Sequence, residues 1–219
     1  MTDFLALPRW QIPTLPVAGR AERFPVRRIF CIGRNYADHV REMGGDPNRG
    51  SPIFFMKPAD AVVTDGAPLP YPAATKDLHH EVELVAALGE DLKPWGFAVG
   101  LDMTRRDLQA KAKQATAPWE IGKAFEASAP VGALLPASAW DGPRSQTIRL
   151  LVNGEVRQEG RMDQMIWTLD EILAELSALF TLKPGDLIFT GTPAGVGPVQ
   201  RGDRLEASVE GLPGLAVGI

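Results

Sequence analysis

The sequence predicts a mixed, mostly β single domain with a few short helices. Three observations predict it. Glycine and proline are abundant, 22 and 19 of 219 residues, above a usual combined share of roughly 12%. Hydrophobic residues stand at an ordinary 45%, so the excess reads as tight turns and short elements, not disorder, and excludes an all-helical bundle. Short apolar runs recur between Gly-, Pro- and Asp-containing turns, whereas helical spacing occurs only in brief, dispersed stretches. A chain of this length closes one core that buries roughly 70% of the surface its unfolded form exposes.

The elements follow in order. Arg27 to Ile32 reads as a buried strand ended by Gly33. Asn35 to Met43 reads as a short helix stopped at Gly44-Gly45. Pro52 to Lys57 and His80 to Leu88 are strands. Phe97 to Leu101 is a strand that runs into a helix from Thr104 to Gln114. Ile148 to Val152 and the stretch from Glu155 form a hairpin about Asn153-Gly154, a strong turn signal. Leu169, Ile172, Leu173, Leu176 and Leu179 share a helical face. Leu187 to Thr190 and Leu205 to Val209 are strands, each preceded by a Gly-Asp turn. Residues 1–24 are expected to form an extended lead, and 25–219 a single domain.

The chemical inventory excludes whole classes of site. One cysteine, Cys31, excludes an intrachain disulfide and a multi-cysteine zinc or iron–sulfur centre. There are only three histidines, His39, His79 and His80. Any bound metal is therefore expected on oxygen ligands, which suits magnesium, calcium or manganese. A net charge of -4 gives no basic footprint for nucleic acid. The start, Met1 to Gly19, lacks a secretory pattern, and no apolar run is long enough for a membrane span. The expected compartment is the cytoplasm.

Five segments carry chemistry. In His80-Glu81-Val82-Glu83-Leu84, alternation puts Glu81 and Glu83 on one face of a strand. At roughly 7 Å the two carboxylates repel by about 2 kcal/mol, and a divalent cation would reverse that sign; a solvated strand end is the bland alternative. Asp102 lies at a strand-to-helix junction, placed for a third oxygen ligand, and Thr104 with Asp107 resembles a capping box. Arg105 or Arg106 could hold a substrate carboxylate. His39 and Glu42, three apart on a helix, can pair as an oriented imidazole base, though many such pairs are only surface contacts. Lys123 and Lys57 sit among aromatic residues, either as desolvated cations facing an anion or as surface lysines whose stems lie on those rings. Last, Pro184 to Gly197 is Gly/Thr-rich but lacks both nucleotide-binding fingerprints; it can offer backbone N–H groups and the Thr192 hydroxyl to a carboxylate, or simply turn the chain.

Taken in order, these segments resemble the fumarylacetoacetate hydrolase family, from about Phe24 to the C-terminus. The motifs are Gly33-Arg34-Asn35-Tyr36 with His39 and Glu42, His80-Glu81-x-Glu83, Gly100-Leu101-Asp102 with Arg106-Asp107, Gly122-Lys123, and Pro184-Gly185-Asp186 through Gly197. Leu101 to Gln109 and Phe54 to Asp60 are most similar to the bacterial fumarylpyruvate hydrolase branch. The resemblance implies an α+β, mostly β fold, a mixed β-sandwich roll. It implies one divalent cation, Mg²⁺ or Mn²⁺, on Glu81, Glu83 and Asp102, with no organic cofactor. It further implies a homodimer acting on 2-oxo or 2,4-dioxo acids, by hydrolysis of the C–C bond of an acylpyruvate such as fumarylpyruvate. His39, Glu42 and Lys123 would be catalytic; Arg34, Tyr36, Arg106, Gln109 and Thr192 would bind substrate. Oxaloacetate decarboxylation, dienedioate isomerisation with decarboxylation, and non-catalytic binding of metal and oxo acid remain open. The chain departs from the family at Glu126, where Asp is usual, and in the short stretch between Gly89 and Phe97.

Overall fold

The computed structural model describes residues 10–64 and 66–219. Its centre is a six-stranded sheet in the order Leu135–Pro136, Pro94–Leu101, Val82–Leu88, Asp186–Phe189, Arg28–Gly33, Ile53–Lys57. All neighbours are antiparallel except Asp186–Phe189 with Arg28–Gly33, which run parallel. A four-stranded antiparallel sheet, Glu155–Arg161, Thr147–Val152, Arg204–Val209, Leu215–Gly218, packs over one face.

Both faces of the central sheet are covered. Leu84, Ala86, Val99 and Ile188 join Ile148, Leu150, Leu205 and Val209 in the core between the sheets. On the other face, Val85, Ala87, Ala98 and Leu187 pack with Leu15, Phe24, Val26 and Ala129. Strand Val82–Leu88 is therefore buried at every residue, as a sheet covered on both sides requires. Within the expected lead, Thr14–Pro16 pairs antiparallel with Arg23–Pro25, and Leu15 and Phe24 enter that second core; residues 1–9 lie outside the described part.

Four α-helices are short: α1 Ala37–Glu42, α2 Arg106–Gln114, α3 Glu120–Lys123 and α4 Leu169–Leu179. Helix α4 has the expected bounds and is held by Thr168, whose hydroxyl accepts from Glu171 N–H while Glu171 reaches back to Thr168 N–H. The Asn153-Gly154 hairpin forms with both residues at positive φ, +54° and +82°.

Four expectations are corrected. His80 to Leu88 is not one strand: Leu78–His80 belongs to a separate three-stranded sheet with Thr104–Arg105 and Gly197–Val199, and the chain leaves that sheet at Glu81. Helix α2 starts at Arg106, not Thr104, because Thr104 is in a strand and bonds Asp102 O. The capping box is absent: Asp107 instead accepts from Thr75 Oγ1 at 2.5 Å and Lys76 N–H at 3.3 Å. The central strand begins at Pro94, not Phe97, and the short connection before it closes as a tight turn, Gly89 N–H to Lys93 O at 2.9 Å.

Candidate metal centre and active site

Glu81, Glu83 and Asp102 converge, with one oxygen from each lying within 4.8 Å of the others. Each is set by backbone geometry. Glu83 opposes Gly100 in the central sheet, and Asp102 N–H bonds Glu81 O at 2.8 Å just beyond the sheet's end. All three are buried. Three desolvated carboxylates in one place need cations, and the chain supplies them. Lys123 Nζ donates to Glu81 Oε2 at 2.8 Å, Asp102 Oδ2 at 2.6 Å and Thr104 Oγ1 at 2.7 Å. Lys57 Nζ pairs with Asp102 Oδ1 at 2.8 Å. Arg106 Nη2 donates to Glu81 Oε1 at 2.5 Å.

The electrostatics separate the carboxylates. Burial pushes Glu81 up, but Lys123, Arg106 and His39 outweigh it and hold Glu81 well below the usual range. Burial pushes Glu83 up too, and the charges of Asp102 and Glu81 push the same way, so Glu83 lies well above it. Burial opposes the charge on Lys123, but Asp102 and Glu81 prevail and raise it. Three hard oxygen donors crowded to this extent fit a divalent cation, which would draw all of them into the charged form. Glu81, Glu83 and Asp102 could hold Mg²⁺ or Mn²⁺.

The His39/Glu42 pair forms at the same pocket. His39 Nδ1 donates to Glu42 Oε2 at 3.2 Å, and Gly195 N–H donates to Glu42 Oε1 at 3.0 Å. His39 lines the pocket with Glu81, Glu83, Asp102, Lys123 and Thr192. A donating Nδ1 leaves Nε2 as the acceptor nitrogen, the form a general base requires.

The residues expected to bind substrate divide. Arg34, Arg106, Gln109 and Thr192 line the pocket. All three Arg106 nitrogens are engaged by the protein: Glu81, Gln109 Oε1 at 2.7 Å and His79 Nδ1 at 3.3 Å. Thr192 Oγ1 accepts from Gln158 Nε2 at 2.8 Å, and Gln158 Oε1 accepts from His80 Nδ1 at 2.9 Å. Glu83 accepts from Gly191 N–H at 2.7 Å, which fixes the same loop from the other side. Tyr36 is not among the lining residues; it is buried, and its hydroxyl has no partner among the described residues. Glu126 is exposed, so its extra methylene meets no tightly packed neighbour.

Lys57 and Lys123 are both buried, so neither is a surface lysine lying on aromatic rings. Sequence reasoning named Lys57 only as an ambiguous case; its place opposite Asp102 depends on the pairing of Arg28–Gly33 with Ile53–Lys57. It missed Lys113, which lines the pocket beside Trp119. The signal was available: Arg106, Gln109 and Lys113 are spaced three and four apart, one face of α2.

Known proteins resemble this chain over most of its length. The family model for the fumarylacetoacetate (FAA) hydrolase C-terminal region matches residues 28–219. A crystal structure of fumarylpyruvate hydrolase from Pseudomonas aeruginosa, in complex with Mn²⁺ and pyruvate, superposes with a TM-score of 0.94 at 49% identity, covering 98% of each chain. Oxaloacetate tautomerase FAHD1, mitochondrial, of Homo sapiens is 42% identical over 196 residues, 85% of this chain and 88% of that one. Oxaloacetate tautomerase YcgM of Escherichia coli is 41% identical over 199 residues, 86% of this chain and 90% of its own. With the fold, the buried acidic triad and the extent of the match in agreement, the chain belongs to the fumarylacetoacetate hydrolase family.

Proposed function

We propose that this protein hydrolyses the C–C bond of an acylpyruvate, with fumarylpyruvate as the substrate and fumarate and pyruvate as products. The observation that carries the reading is the His39–Glu42 pair at the pocket that holds Glu81, Glu83 and Asp102. The match to the Pseudomonas aeruginosa structure supports it. When bound, a divalent cation supplies Lewis-acid polarisation of a 2-oxo acid.

The chain's own groups do the rest. Glu42, fixed by Gly195 N–H, holds His39 with Nε2 free to take a proton from water. The hydroxide adds to the C4 carbonyl carbon, the C3–C4 bond breaks, and its electron pair goes to C3. A proton returned to C3 gives pyruvate, and C4 leaves as the new carboxylate of fumarate. Lys123 has all three donors engaged by Glu81, Asp102 and Thr104. A bound cation that took over one of these carboxylates would leave a Lys123 donor available to the developing enolate.

The test is a Mg²⁺-dependent ultraviolet assay over 2,4-dioxo acids with product identification. Loss of diketo absorbance with formation of fumarate and pyruvate is expected; no loss for any member sinks the reading. His39→Ala is expected to lower kcat by about 10²–10⁴-fold, and near-full turnover would remove the base. A second reading is favoured by the human and Escherichia coli relatives: oxaloacetate enol–keto interconversion at the same pocket. It predicts decay of the oxaloacetate enol signal with no new carbon product, whereas decarboxylation releases CO₂ with pyruvate.

A further inference from the structure

We infer that Lys113 and Arg34 form a second anion subsite at the mouth of the pocket, which receives the far carboxylate of a dicarboxylic substrate. This rests on the 2-oxo acid reading above and specifies its substrate class.

Charge matching in the pocket comes first. Of the three acids at its floor, Glu81 and Asp102 are paired with the cations Lys57, Lys123 and Arg106, and Glu83 accepts from Gly191 N–H. Arg106 is engaged at every nitrogen, so it is a clamp on Glu81 and not a free receptor. Two more cations line the same pocket, Arg34 and Lys113. Among the described residues neither has a carboxylate within ion-pair distance. The pocket therefore carries positive charge that no protein group matches.

Geometry places that charge at the mouth. Arg34 is exposed and Lys113 half-buried, whereas the acids are buried. Arg34 is held at φ 61°, in the left-handed region, by the tight exit from strand Arg28–Gly33. Lys113 lies with Nζ 5.0 Å from the centre of the Trp119 ring. Trp119 and Phe55 line the pocket and touch each other, with ring centres 6.1 Å apart. The order is thus carboxylate floor, aromatic wall, cationic mouth, which matches a ligand with a chelating end, a carbon chain and a distant anion. The free space of the pocket is about 30 Å³, room for about two waters. Burial and the charges of Arg106 and Arg34 pull Lys113 down to about 8, a cation near neutrality whose repulsion by its neighbours an arriving anion would relieve.

The test compares two seven-carbon 2-oxo acids by calorimetry on the Mg²⁺-loaded protein. One is 2-oxopimelate, with a far carboxylate; the other is 2-oxoheptanoate, which lacks it. Neither has the 4-oxo group, so neither is cleaved. The wild type is expected to bind 2-oxopimelate about tenfold more tightly, the scale of one charge-assisted hydrogen bond. Lys113→Gln and Arg34→Gln should each cut that preference to within about twofold while 2-oxoheptanoate affinity holds, which also reports that the variant is folded. Lys113→Arg should restore the preference. An equal affinity for both acids in the wild type, binding of neither, or a preference unchanged in both glutamine variants overturns the subsite. Failure to cleave fumarylpyruvate would remove the hydrolase reading alone, because the calorimetric preference does not depend on turnover.

Discussion

Lys57 shows how much of this pocket depends on single buried charges. The residue is 2% exposed; its ammonium faces Asp102, donates to Met103 O and Lys123 O, and lies 5.5 Å from the Phe125 ring. Removing one member of a buried pair leaves an uncompensated charge, which costs about 3–5 kcal/mol. Asp102 keeps Lys123, so Lys57→Met is expected at the lower end, about 3 kcal/mol. A urea midpoint measured with unchanged m-value checks it; a loss below about 1 kcal/mol would mean Asp102 relaxes to another donor. At this scale the sequence was partly readable. Glu81, Glu83 and Asp102 stand out because acids in apolar strands have few bland explanations. His39 and Glu42 stand out only through their spacing. Lys57 and Lys113 were obscure, because a lysine reads the same whether its head meets solvent or a buried carboxylate, and only tertiary pairing decides which.

Elements set the distances between these charges, and the α2–α3 contact is the sharpest case. A Cβ added at Gly122 would lie 2.8 Å from Gln109 Cβ, 2.9 Å from Gln109 N and 3.0 Å from Gln109 Cα. Two of those atoms are backbone, so the helices themselves must separate. Gly122→Ala is expected to destabilise by about 1–3 kcal/mol. The same shift moves the adjacent Lys123 and Gln109, which reach Glu81 directly and through Arg106. Turnover should therefore fall by more than tenfold at temperatures where circular dichroism shows the variant folded, since displacement near 1 Å can cost about a hundredfold. Loss of stability alone, with kcat intact in the folded fraction, would uncouple the contact from the site. The element boundaries explain which expectations failed. Helix α4 was legible because periodicity and the Thr168/Glu171 cap agree. The run from His80 to Leu88 was not, because alternation continues across Glu81 although the chain passes from one sheet to another there. The Thr104/Asp107 pattern misled for a related reason: Asp107 has a tertiary partner in Thr75, which local spacing cannot reveal.

Across the whole molecule, the pocket draws its acids from strand ends, His39 from α1, its lining cations from the turn at Arg34, α2 and α3, the Lys57 partner of Asp102 from the strand Ile53–Lys57, and its Gly191-Thr192 loop from the strand after α4. Such a site exists only when the six-stranded sheet has formed, so a ligand that bridges its carboxylates binds the folded state and not the unfolded chain. Metal binding must then stabilise the entire fold. At a free Mg²⁺ or Mn²⁺ concentration of 100 times the dissociation constant, linkage gives about 2.7 kcal/mol. For a chain of this size that corresponds to a rise in Tm of roughly 5–11 °C over the chelator-treated protein. The variants should divide by role. Asp102→Asn removes a candidate ligand and should abolish the metal-dependent rise, whatever its own starting Tm. His39→Ala keeps all three carboxylates and should retain the rise while losing turnover. A rise that survives in Asp102→Asn would place the cation elsewhere, and a wild type with no rise would leave the triad as a structural cluster neutralised by Lys57, Lys123 and Arg106. Because each comparison is made within one variant, the general cost of altering a buried charge cancels, and what remains reports which side chains the cation touches.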